Sequence, residues 1–109
     1  MFVGVLRLTF HVPSARSLKD KRRVIRRFRD RVLARFDVSI AEVSAQGKLQ
    51  RAVFGVSVVS SDASVCDSVL QQVARFAETE ENAVLTDRAT EVITMGGERD
   101  QPYGGYDAS

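Results

Sequence analysis

Residues 15–35 read ARSLKDKRRVIRRFRDRVLAR. Leu18, Ile25, Phe28 and Val32 recur at helical spacing, with Val24 and Leu33 at the edges of the stripe. That pattern predicts an amphipathic helix running to about Arg35. Ser17 is its expected N-cap, a hydroxyl able to accept an orphan N–H, with Asp20 three residues on at the positive helix end. The stretch holds ten Lys or Arg residues against Asp20 and Asp30, a charge of +8, while the remaining six basic and twelve acidic residues carry −6. The whole-chain net charge of +2 therefore conceals a strong segregation. At 100° per residue, Arg16, Lys19, Arg23, Arg26 and Arg27 fall opposite the apolar stripe. Arg22 and Arg29 border one edge of it, and Arg31 and Arg35 border the other. Asp30 is expected to offset part of this charge by pairing with Arg26 and Arg27 at helical spacing.

A helix with one apolar stripe needs a surface to bury it, and the flanking segments supply strands. Residues 2–12 alternate: Phe2, Gly4, Leu6, Leu8 and Phe10 share one face, and Val3, Val5, Arg7, Thr9 and His11 share the other. Pro13, with no N–H to donate, ends this strand. A second strand is expected over Phe36–Val43, then turn chemistry in Ser44–Lys48, then a third strand over Gln50–Ser60. Asp62 is the expected cap of a second helix, whose Val65, Val69, Val73 and Phe76 keep one face. Ala83–Met95 contains a fourth strand. The order β-α-β-β-α-β predicts an α+β, ferredoxin-like sandwich: a four-stranded antiparallel sheet with two helices on one face and the other face open. On this reading residues 1–95 form a single domain and residues 96–109, rich in Gly and polar groups, a flexible C-terminal tail. Val3, Val5 and Val53 are expected to form an apolar patch on the open face.

The same residues carry a family resemblance. His11, then Ser17-Leu18-Lys19-Asp20-Lys21-Arg22, then Arg35-Phe36-Asp37-Val38-Ser39-Ile40-Ala41-Glu42-Val43, then Gln50-Arg51-Ala52 and Val58-Val59-Ser60-Ser61-Asp62 resemble the small bacterial proteins of domain of unknown function 503, the YlxP-like family. The resemblance covers about residues 1–95. It implies a ferredoxin-like fold and no reaction, because the family is biochemically unassigned. Genes of that family often lie near translation-initiation and ribosome-maturation genes, so the resemblance implies, by association, a link to RNA or the ribosome. The chain departs from the family pattern at Gly47-Lys48-Leu49, where an Asp-Leu-Trp-type sequence is frequent. A partner contact through an aromatic at that hairpin is not expected here.

The candidate chemistry is that of binding rather than catalysis. Arg16, Lys19, Arg22, Arg23, Arg26 and Arg27 are the expected nucleic-acid or polyanion contacts, because a single-sign helix face matches a phosphate backbone. A solvated face with snorkelling side chains is the bland alternative, but such faces ordinarily mix signs. Ser14 and Ser17, with the helix-start N–H groups and help from Lys19 and Lys21, form a possible anion loop. His11, the only histidine, has no partner suited to acid–base work and is read as a strand-end residue that orders its loop. Cys66, the single cysteine, is read as a packing residue and excludes an internal disulfide. No spacing suits a metal, and no cofactor is implied. Acylphosphatase-like hydrolysis, known on this architecture, needs an Arg cradle in the first loop and an asparagine positioned to orient water, and the only asparagine, Asn82, lies outside the expected site. The central strands offer the open face no aromatic for base stacking.

The expected protein is thus a non-enzymatic cytoplasmic binding factor that contacts RNA or the ribosome through its first helix. It has no signal peptide and no membrane span. The alternative is a homo-oligomeric interaction module, a homodimer through the open sheet face, whose basic helix docks acidic protein surfaces.

Overall fold

In the computed structural model, which describes residues 1–96, the first strand β1 spans Phe2–His11. It buries Gly4, Leu6, Leu8 and Phe10 and turns Val5, Arg7 and His11 outward. The helix α1 follows over Leu18–Arg35, then β2 (Ser39–Ser44), β3 (Arg51–Ser60), α2 (Ala63–Glu78) and β4 (Val84–Thr94). The four strands form one antiparallel sheet in the order β2-β3-β1-β4, which is the ferredoxin-like α+β arrangement expected of the sequence. The proposed tail lies, apart from Gly96, outside the described residues.

Register explains which residues reach the core. Leu6 pairs with Val56, Leu8 with Phe54 and Phe10 with Ala52, so the apolar faces of the two central strands coincide. Phe28 of α1 closes over them, its ring 5.0 Å from Phe10, 5.1 Å from Phe54 and 6.3 Å from Phe76 of α2. These aromatic contacts join both helices to the sheet and add to the energy of apolar burial.

Gly4 is where α2 comes closest to the sheet. A Cβ there would lie 2.8 Å from Leu70 Cδ1, 3.1 Å from Cys66 Cβ and 3.2 Å from Val58 Cγ1. Leu70 and Cys66 are both fully buried, so either must shift within the core to admit the methyl group. Gly4→Ala is therefore expected to cost about 1–3 kcal/mol through overpacking. The check is a lower urea midpoint at unchanged slope.

Both helix starts follow their sequence signals. Ser17 Oγ accepts the Asp20 N–H at 3.1 Å, and the Asp20 carboxylate accepts the Arg16 N–H at 3.3 Å. Asp62 Oδ1 accepts from the Ser64 hydroxyl at 2.7 Å and from its backbone N–H at 2.9 Å. Those bonds, the hydroxyl's first and then the backbone's, hold the Asp62 carboxyl below its ordinary value against an opposing effect of burial. A carboxyl lowered by folding stabilises the native state above its unfolded pKa, and that contribution disappears as pH falls through the folded value. The melting-temperature gap between wild type and Asp62→Ala is therefore expected to be constant near neutrality and to narrow below about pH 4.

Three details differ from the sequence-based expectations. Leu18 is 37% exposed, and its place on the buried stripe is taken by Lys21, which is 1% exposed. Val53 faces the open side but is only 4% exposed, hemmed between Thr9 of β1 and Ser44 of β2. The second strand begins at Ser39 rather than Phe36, because Phe36 caps α1 by donating its N–H to the Val32 carbonyl at 2.8 Å.

Candidate nucleic-acid interface

The ten basic residues of the α1 region divide into two groups. Four are engaged within the molecule. Lys21 Nζ donates to the Ala45 carbonyl and lies 3.1 Å from Glu42 Oε2. Arg31 pairs with Glu80 at 2.9 Å and rests over the Phe76 ring at 4.9 Å. Arg35 also lies over Phe76, at 4.9 Å. Arg29 pairs with its neighbour Asp30 at 3.3 Å. Because Asp30 turns to Arg29, the expected local compensation of Arg26 and Arg27 is not made. Arg16, Lys19, Arg22, Arg23, Arg26 and Arg27 form the second group: all are exposed, and none has a salt bridge among the described residues.

The five of these on α1 itself occupy an arc of about 140° at 100° per residue, centred opposite the buried stripe. Arg23 lies at the junction of three shallow depressions. One is lined by Lys19, Arg22, Arg23 and Arg26. A second runs toward the helix end along Arg23, Arg26, Arg27, Asp30, Arg31 and Ala34. The third lies at the helix start and contains Ser14, Asp20, Arg23, Val24, Arg27 and Asn82. A charged groove of this kind suits a flexible polyanion that follows the helix axis.

The possible anion loop is largely occupied by its own chain. Ser17 is committed to the Asp20 N–H, Ala15 donates its N–H to the Val12 carbonyl at 3.2 Å, and Asp20 takes the Arg16 N–H. Lys21 is buried on Glu42 and cannot serve the loop. Ser14 alone of the two serines opens onto a cleft beside arginines. Asn82, remote in sequence, reaches that same cleft because the α2–β4 connection folds back on α1. Sequence reasoning missed this juxtaposition, since it depends on tertiary packing.

The remaining candidate groups are structural. The His11 ring donates from Nδ1 to the Gln50 carbonyl at 3.1 Å, and the Gln50 side chain donates to the Pro13 carbonyl at 3.2 Å, so the pair orders the loop after β1. Cys66 is fully buried, its Sγ 3.7 Å from the Phe2 carbonyl. Among the described residues, no group of three or more His, Cys, Asp or Glu side chains could hold a metal ion. No helix among them is long and apolar enough to cross a membrane. The outward positions of β1 and β3 carry Val3, Val5, Arg7, Thr9, His11, Arg51, Val53, Gly55, Ser57 and Val59; their one ring is the His11 imidazole at the end of β1, tied to the Gln50 carbonyl, and no Phe, Tyr or Trp stands there for a base to stack on.

The sequence is similar to known proteins in two respects. The family model described as "Protein of unknown function (DUF503)" matches residues 3–90. The uncharacterized protein YlxP of Bacillus subtilis (strain 168) is 42% identical over 65 residues, which cover 60% of this chain and 71% of that protein.

Proposed function

The chain belongs to the DUF503 family, whose function is unknown, and from that premise we propose that it is a non-enzymatic binding factor of the cytoplasm that contacts RNA or the ribosome through α1. The observation that carries the proposal is the division of labour along the helix. Four of its cations are engaged within the molecule, and five more, with Arg16 just before the helix, are exposed, of one sign and without a salt bridge among the described residues. Uncompensated arginines repel one another and gain most from a partner with regularly spaced negative charge. A phosphate backbone is such a partner, and binding it releases condensed counterions. The contact is through phosphates with little reading of sequence, since the open sheet has no Phe, Tyr or Trp on which bases would stack.

The test is affinity for single-stranded RNA across a salt series. If all six cations meet phosphates, log K falls against log salt with a slope of about −4. A flat dependence overturns the proposal.

A second reading is favoured by the open sheet face, where Val5, Val43, Val59 and Ile93 are between 37% and 62% exposed. Such a face suits a homodimer whose basic helices dock an acidic protein surface. Nuclease treatment separates the two: partners that stay bound to the protein after RNA is digested support the docking reading.

A further inference from the structure

We infer that the cleft between the start of α1 and the α2–β4 loop holds one ribose phosphate of RNA, and that it is where the protein tells RNA from DNA. The inference rests on the reading of α1 as an RNA-contacting helix and adds to it a chemical selectivity that the helix arc alone does not have. Cations along an arc recognise phosphate, which both polymers share. Uncharged or acidic polar groups beside a phosphate anchor add recognition of the sugar, whose 2′-hydroxyl both donates and accepts.

The cleft has that mixture. Arg23 and Arg27, one helical turn apart, contribute two guanidinium groups without acidic partners among the described residues, and Ser14 adds a hydroxyl. Together they suit a phosphate. Asp20 and Asn82 form the rest of the polar wall. A bare anion has no use for a carboxylate in its wall, and a ribose phosphate does. Its 2′-hydroxyl donates to a carboxylate or amide oxygen and accepts from an amide N–H. Asp20 Oδ2 is taken by the Arg16 N–H at 3.3 Å, which leaves Oδ1 as a free acceptor.

Asn82 is held ready for this role. Its backbone N–H donates to Glu80 Oε2 at 3.2 Å, and Glu80 Oε1 is gripped by Arg31 of α1 at 2.9 Å. The Glu80 side chain is 1% exposed and that of Arg31 37%, so the carboxylate end of the clamp is enclosed by protein. It fixes the loop to the same helix that carries Arg23 and Arg27. The Asn82 carboxamide makes no hydrogen bond among the described residues and remains available in the cleft.

The experiment compares single-stranded RNA and DNA of one sequence, with deoxyuridine in the DNA so that only the sugar differs. Fluorescence anisotropy gives both affinities for the wild type and for Asn82→Ala, and thermal melts verify that the variant is folded. The wild type is expected to bind RNA about tenfold more tightly than DNA, the value of one well-made hydrogen bond between the Asn82 carboxamide and the 2′-hydroxyl. Asn82→Ala is expected to bring the two polymers to near parity by weakening RNA alone, with DNA affinity and salt slope unchanged. Steep salt dependence with equal wild-type affinity for RNA and DNA overturns this inference and leaves the polyanion reading standing. Equal weakening of both polymers by Asn82→Ala also overturns it. Failure of the wild type to bind either polymer overturns both readings.

Discussion

Replacing Arg23, Arg26 and Arg27 together with glutamate is expected to weaken RNA binding by on the order of a hundredfold or more at moderate salt, with the salt slope reduced to about −2. The three residues are the core of the unpaired arc, and Arg23 borders all three of its depressions. Each substitution removes a phosphate contact and adds a like charge to the ligand's path. The fold has little stake in them. All three are exposed, none has an ion pair among the described residues, and glutamate is close to arginine in helix propensity. The variant should melt within a few degrees of wild type, so a loss of binding is attributable to charge. Anisotropy titration against salt makes the measurement, and unchanged affinity would refute the proposed function.

Lys21→Met is expected to do the opposite: spare binding and damage the fold by about 3–5 kcal/mol. Glu42 is 19% exposed, and its Oε2 has no properly directed hydrogen bond. The Lys21 ammonium, 3.1 Å away at an oblique angle, is the charge that balances it. Without it a carboxylate is stranded between α1 and the sheet. The Ala45 carbonyl also loses one of its two donors, keeping the Lys48 N–H at 3.0 Å, in a turn where Ala45 adopts a left-handed φ of 64°. Against a total stability of about 5–15 kcal/mol, this loss is severe. Melting should fall by about 15–25 °C. The double variant Lys21→Met/Glu42→Leu should recover most of the loss, because an apolar pair of similar volume has no desolvation cost. If Lys21→Met alone melts like wild type, the pair is dispensable.

The fold was legible because two periodicities are clean. Period two in Phe2–Phe10 and the helical recurrence of Ile25, Phe28 and Val32 each name an inward face, and those faces meet in the structure. The buried ion pair was harder to see, because lysine and glutamate rarely stand in a core. Yet Lys21 is in helical phase with Ile25, Phe28 and Val32, and Glu42 is in strand phase with Val38 and Ile40. Two opposite charges at inward positions of neighbouring elements were a usable signal. Asn82 gave no such signal. Its approach to Arg23 depends on how the chain leaves α2, and that is set by the Arg31–Glu80 contact across 49 residues. Nor did local spacing reveal that Asp30 would choose Arg29 over Arg26 and Arg27, since a one-residue neighbour can compete with the helical ones only through its rotamer.

Both outer strands of the sheet carry an irregularity. In β2 the register with β3 jumps between Glu42 and Ser44, so Val43 is bulged out. In β4 the register with β1 jumps between Thr9 and Phe10, and the skipped Thr86 bends back to donate its hydroxyl to the Thr9 carbonyl at 3.1 Å. An outer strand is a template for unwanted growth, because its unpaired N–H and C=O groups invite the next chain to add on. A bulge breaks the regular spacing that such growth requires. With one on each side, the sheet is protected against polymerising edge to edge into fibrils.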